Sequence, residues 1–244
     1  MGILPAETLA LSLLILFAAA IVKVTLGFGD ALLAMPLLTL VLGIRLATPV
    51  VALAAVTVTI MMLVGSWRRM DFHTAWRIIA AAAVGIPLGV VGLKYLPAEH
   101  VKRGLGVVLI LTGVYELTRP ALPRLQARVW AYFFGFLAGM FGGAYNAAGL
   151  PMVVYGTLVR WNPDEFRATL QSVFFPTSLL VIVSHGLAGL WNTQVMLLML
   201  FWLPLSVLAF WLGSRLQRHI PTHLFARMVQ FSLVCLGILM LISL

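Results

Sequence analysis

Charged and polar side chains interrupt this chain so seldom that they act as its punctuation. Ten apolar runs lie between them, at approximately 8–27, 30–44, 47–66, 74–95, 101–118, 128–143, 146–160, 164–187, 192–214 and 222–243. A hydrocarbon core about 30 Å thick is spanned by about 20 apolar residues in a helix, so the longer runs predict transmembrane helices. The second and seventh hold roughly 15 residues each, and a helix rises only about 1.5 Å per residue. These two either cross with tilt and local thinning of the bilayer or re-enter without crossing. Each begins at a glycine-rich break, "GFGD" for the second and "GGAYNAAG" for the seventh. The predicted fold is an all-α polytopic membrane helix bundle with broken or re-entrant helices.

The punctuation repeats. Setting Pro36 on Pro151 places Gly27 on Gly142. Setting Pro97 on Pro221 places Gly89 on Gly213, Lys94 on Arg218, Arg103 on Arg227 and Gly113 on Gly237. Matches among Leu and Val carry no weight in so apolar a chain, whereas matched Gly, Pro and basic residues do. The expected organisation is one transmembrane domain, 1–244, built of halves 1–118 and 128–244 joined by the connector 119–127. An odd number of crossings per half inverts the repeats. Reading each break and its short run as one interrupted helix makes them parallel. Basic residues concentrate in cytoplasmic loops. The odd count gathers "WRRMDFH", "RPALPRLQAR", "RWNPDEFR" and "RLQRHIPTH" on one side and leaves "KYLPAEHVKR" as the basic exception on the other. Inverted repeats with both termini outside are the expectation.

Composition narrows the class further. Of 244 residues, 62% are hydrophobic and 9% charged, against roughly 25% charged in a soluble domain. The mean hydropathy is +1.08. So few charges cannot cover the surface of a soluble fold of this length. The net charge of +9 lies in the breaks between apolar runs, where it orients the chain and meets anionic lipid. It does not point to nucleic acid, and it is a weak hint towards anionic cargo. Cys235 is the single cysteine and reads as a small core residue. Trp67, Trp76, Trp130, Trp161 and Trp191 fall near predicted interfaces, and Trp202 and Trp211 deeper, as packing residues. The five histidines lack metal-binding spacing, and no nucleophile motif is present. No metal, cofactor or catalytic residue is expected, and the N-terminal run reads as a retained first helix.

Helix-breaking backbone at membrane depth is tolerated where it is buried in protein or lines a cavity. Paired breaks in two related halves are the best pointer in a sequence to a transporter's substrate site. Gly142, Gly143 and Gly149 would let backbone approach a ligand, or would serve close helix packing, since "GFLAGMFGG" has small-xxx-small spacing. Asn146 is suited to cap the short seventh segment, and Asp30 the second. Their helix N-termini would then offer N–H groups to an anion. Lys23 would attract an anion, pair with Asp30, or snorkel to the interface. Asp30 is either a neutralised cap or a protonation site that couples transport to a proton gradient. Further along, Asn162 or Asp164 can cap the eighth segment, with Glu165 in its first turn. Arg167 and Gln171 share a face there. Arg167 would bind oxyanions or pair at the interface with Glu165 or Asp164. Thr48, Thr57 and Thr59 in the third segment, and Thr177 and Ser178 in the eighth, are polar groups that would also bond their own helix carbonyls.

The stretches "GFGDALLAMPLL" and "GMFGGAYNAAGLPMVVYGTLVRWNPDEFRATLQSVF" resemble the TauE/SafE family of sulfite and organosulfonate permeases, and the resemblance covers nearly the whole chain. It implies a multi-pass transporter of the prokaryotic plasma (inner) membrane that moves a small sulfur-containing anion, in the direction of export. It is the sole source of the sulfur. The expected site lies near the midplane between Gly27–Asp30 and Gly142–Asn146. Gly27, Gly29, Gly142, Gly143 and Tyr145 belong to the breaks. Asn146, Thr48, Gln171 and Ser172 are expected to contact substrate, and Lys23 or Arg167 to supply charge. Asp30 is the coupling candidate. The expected partners are the anion and membrane lipid. An anion channel, or a transporter of another small organic anion, is the alternative.

Overall fold

The computed structural model describes residues 4–27, 29–63, 72–118, 124–125, 127–217 and 222–242. Among them lie ten α-helices and no strand. They are α1 (Ala6–Leu26), α2 (Asp30–Leu42), α3 (Ile44–Leu63), α4 (Phe72–Tyr95), α5 (Ala98–Thr118), α6 (Val129–Tyr145), α7 (Gly149–Val159), α8 (Pro163–Leu187), α9 (Thr193–Leu216) and α10 (Thr222–Ile242). Each boundary falls within about three residues of the apolar run that predicts it. α2 and α7 are indeed short, with 13 and 11 residues. Five helices, Ala6–Leu26, Ile44–Leu63, Ala75–Tyr95, Ala168–Leu187 and Thr193–Leu216, are long and apolar enough to cross a bilayer.

Local chemistry sets several ends. At the start of α8 the Glu165 N–H donates to Asn162 Oδ1 (2.9 Å), and the Asn162 N–H donates to Glu165 Oε2 (3.1 Å). This reciprocal capping box satisfies two backbone donors that the helix leaves unpaired. α9 begins on Asn192, whose side chain accepts from the Val195 N–H at 3.0 Å.

Glycine decides how closely the helices approach. Gly135, Gly139 and Gly143 of α6 lie directly on the backbone of Ile78, Ala82 and Ile86 of α4. Reciprocally, Gly85 and Gly89 of α4 lie on the backbone of α6 at Phe136, Met140 and Ala144. Residue numbers rise together along this seam, so α4 and α6 run parallel. A second seam joins α5 and α10, where Gly106 meets Gly237 and Gly113 meets Gln230 and Val234. Here the numbers run in opposite senses, so these two helices are antiparallel. Gly213 of α9 packs on Ile21 and Val24 of α1.

α1 packs on α9 as α6 does on α4, and α3 on α9 as α8 does on α4. α3 also packs on α8. Exchanging α1–α5 with α6–α10 therefore carries this set of pairs onto itself. The outer faces are apolar, with Leu14, Val84, Leu200 and Phe231 more than half exposed. Water would disfavour such a surface and hydrocarbon would not. Two expectations fail at this surface. Cys235 is exposed on α10 rather than in the core. Trp211 is also exposed, with the Arg215 guanidinium 3.9 Å from its ring. Trp202 is buried as expected, its indole N–H donating to the Thr57 hydroxyl at 2.9 Å.

Candidate functional site

The two breaks meet at one cavity of about 120 Å³. Lys23, Gly27, Gly29 and Asp30 border it from the first break, and Gly142, Asn146, Ala148 and Gly149 from the second. α3 contributes Ala55, Thr59 and Met62, α4 contributes Ala82 and Ile86, and α8 contributes Gln171, Phe174, Thr177 and Ser178. Both halves of the chain therefore build the wall.

The first break is made by backbone that L side chains seldom adopt. α1 closes on Gly27 (φ 90°), whose N–H donates to the Lys23 carbonyl at 2.7 Å. Gly29 (φ 97°) then precedes α2. This turn brings Lys23, in the last turn of α1, onto Asp30, the first residue of α2. Lys23 Nζ donates to Asp30 Oδ2 at 2.9 Å and to the Ala55 carbonyl of α3 at 3.1 Å. The paired side chains keep 12% and 15% of their surface exposed, so the pair is shielded but not sealed. Among the described residues no other ionisable one borders the cavity.

The second break turns on Asn146. It closes α6 in the left-handed conformation (φ 55°), and its N–H donates to the Gly142 carbonyl at 2.9 Å. Its Nδ2 donates to the Thr48 carbonyl of α3 at 2.9 Å. Asn146 thus ends α6 and ties the second break to the first half; it does not cap α7, whose N-cap position is Ala148. Asp30 likewise makes no capping bond at α2, where Gly29 holds the N-cap position. Both capping expectations are corrected here. Asparagine tolerates positive φ better than most residues, which suits it to a C-terminal position. Asp30, beside an ammonium, gains more from the ion pair.

A match to a family model settles what kind of protein this is. The model described as "Sulfite exporter TauE/SafE" matches residues 12–240. The chain belongs to the TauE/SafE family. It is also 30% identical over 201 residues to a "Probable sulfite/organosulfonate exporter TauE" of Cupriavidus necator, covering 78% of this chain and 76% of that protein. No solved structure matches it. The TauE/SafE assignment makes the chain a transporter rather than an enzyme. With its apolar helices, it fits a multi-pass protein of the prokaryotic plasma membrane.

Among the residues expected at this TauE/SafE chain's site, Lys23, Gly27, Gly29, Asp30, Gly142, Asn146 and Gln171 border the cavity. The Gln171 side chain makes no hydrogen bond to another described residue, which leaves its amide open to a ligand. Other expected residues stand behind the wall. Thr48 is buried, with its hydroxyl on the Ile44 carbonyl at 2.7 Å. Ser172 is buried, with its hydroxyl on the Ala168 carbonyl at 2.8 Å. Gly143 is a packing glycine on Ile86, and its carbonyl takes a 2.9 Å hydrogen bond with Nε2 of the buried His185. Tyr145 turns its hydroxyl towards Gly104 of α5. The Arg167 side chain lies outside the described residues.

The sequence undervalued Thr59, Thr177 and Ser178. They border the cavity while their hydroxyls bond the carbonyls of Ala55, Val173 and Phe175. Polar residues inside an apolar helix were the available signal, but only packing could say which of them face inwards. Ala82 and Ile86 of α4 carried no signal at all.

Proposed function

We propose that this protein exports a small sulfur-containing anion, such as sulfite, sulfoacetate or another organosulfonate, by alternating access, with the cavity between the two breaks as substrate site. The observation that carries the reading is the convergence of Lys23 with the N-terminal turns of α2 and α7 on one cavity bordered by both halves. An ammonium and the unpaired N–H groups of a helix's first turn attract an oxyanion. Gln171 adds an uncommitted amide, and Asn146 holds the second break in register. The sulfur comes from the family and from the relative in Cupriavidus necator, a "Probable sulfite/organosulfonate exporter TauE".

The mechanism of access rests on inversion of the two halves. Its support is the direction of the helices: α5 and α10 occupy corresponding places in the halves and run antiparallel. Related elements of opposite direction are what a two-fold axis in the membrane plane produces. Rocking one half against the other would then open the cavity to each side in turn.

The test is binding by purified protein, read as a thermal shift at fixed ionic strength against sulfite, thiosulfate, sulfoacetate, sulfate and acetate. A ligand that binds only the folded state raises apparent stability by mass action. The expected result is a shift selective for one sulfur oxyanion and lost in Gln171→Leu and Lys23→Gln. Shifts from acetate alone, or none from any sulfur anion, would remove the sulfur assignment.

A further inference from the structure

The described wall of the cavity carries no net charge, and that limits what can enter it. Among the described residues Lys23 and Asp30 are the only ionisable ones on its wall, and they cancel each other at 2.9 Å. An anion added to this pair leaves one net negative charge in a surrounding of low polarity. Uncompensated charge there is strongly disfavoured, and a titratable group neutralises before it tolerates such a state. Protonating the Asp30 carboxylate supplies the balance, since it leaves Lys23 as the anion's counter-ion. Resting on the reading of this cavity as the anion site, we infer that Asp30 is a built-in competitor for Lys23, and that each anion bound at Lys23 is accompanied by one proton taken from solvent onto the Asp30 carboxylate.

Among the described residues, the surroundings of Asp30 permit this and offer no rival proton acceptor. From α1 it faces Lys23, and from α3 the Ala55 carbonyl that also holds Lys23. Across the cavity, α6, α7 and α8 present Asn146, Gln171, Thr177 and Ser178, and α4 presents Ala82 and Ile86, none of which titrates. Behind Asp30 is a second cavity of about 10 Å³, walled by apolar residues of α1, α2 and α3 and by Trp202 of α9. On α5 and α10, which pack on the far side of α2, Glu116 is engaged by Gln230 at 3.1 Å. His185 is held on the Gly143 carbonyl and Tyr145 lies against Gly104. Asp30 keeps 15% of its side-chain surface exposed and borders both cavities.

The test uses ethanesulfonate, a permanent monoanion that does not itself titrate near neutrality, on the intact protein in detergent. Calorimetry in two buffers of different ionisation enthalpy reads proton uptake, and the dissociation constant is followed from pH 5 to 9. Sulfite is measured in the same way, with correction for its own ionisation. The expected result is one proton taken up per anion, with binding weakening about tenfold per pH unit as the pH rises. Asp30→Asn is expected to bind with no proton uptake and no pH dependence over this range, and Asp30→Glu to restore both. Binding by the wild-type protein without proton uptake would overturn the inference and leave the anion site standing. Failure of every sulfur anion to bind at any pH would instead remove the site reading, and this inference with it.

Discussion

Single residues here do work that their type alone does not announce. Asn146 combines a left-handed backbone with a cross-link to the Thr48 carbonyl. Asn146→Gly keeps the backbone and loses the bond, so it should cost about 1 kcal/mol. Asn146→Leu loses the bond and also strains the backbone, and should cost more; chemical unfolding in detergent would rank the two. Gly139 shows the other side of glycine. A Cβ there would sit on the Ala82 backbone, which has no side chain to swing away. Gly139→Ala should therefore destabilise by about 1–3 kcal/mol through overpacking. The same substitution at Gly149, where a Cβ meets nothing within 4 Å, should be mild. Comparing the two melting temperatures checks the claim. Glycines of identical appearance in the sequence separate into packing residues and cavity residues only once their neighbours are known.

At the scale of elements, the decisive features are the two breaks. Gly27 and Gly29 carry α1 into α2 through positive φ. That turn, with the seven-residue separation of Lys23 from Asp30, is what closes the ion pair. Gly29→Ala should cost about 1–2 kcal/mol, the penalty of a left-handed L residue, and should tighten anion binding near neutral pH by moving Asp30, its competitor, off Lys23. An unchanged binding constant in a destabilised variant would separate the turn from the site. Contact between α3 and α9 runs partly through Trp202 and Thr57. Trp202→Phe keeps most of the buried ring and should lose about 1 kcal/mol for the hydrogen bond, with little change in ligand affinity. The helices themselves were legible because apolar run length and capping residues act locally. Which face each helix buries was not, because chains apolar on every side carry no amphipathic stripe to read.

For the whole molecule, the prediction concerns orientation. On the proposed inversion, ten alternating helices would return the C-terminus to the side of the N-terminus. Alkaline phosphatase fused at Leu244 should be active outside the cell, and the same reporter fused at Arg124 should be inactive. Activity at both positions, or at neither, would contradict inversion with termini outside. The antiparallel run of α5 and α10, read from glycine contacts, sends their C-terminal ends to opposite sides, and the basic loops are the reason to expect the connector inside. The matched punctuation in the sequence suggested a duplication, but identities at Gly and Pro cannot report direction, because they are the same whichever way a helix points.

What the sequence determined by itself is what short-range physics controls. Run length and the scarcity of charge set a helical membrane protein, and glycine, proline and asparagine marked where its helices break. The motifs around those breaks carried the family. Tertiary structure alone decided that the two breaks face one cavity, that Lys23 is already engaged by Asp30, and that Thr48, Gly143, Tyr145 and Ser172 stand behind the wall. The physical reason is that side chains distant along the chain meet only after helices choose their neighbours. In a bilayer that choice is made by close packing of small residues, a property of matched surfaces rather than of any one segment.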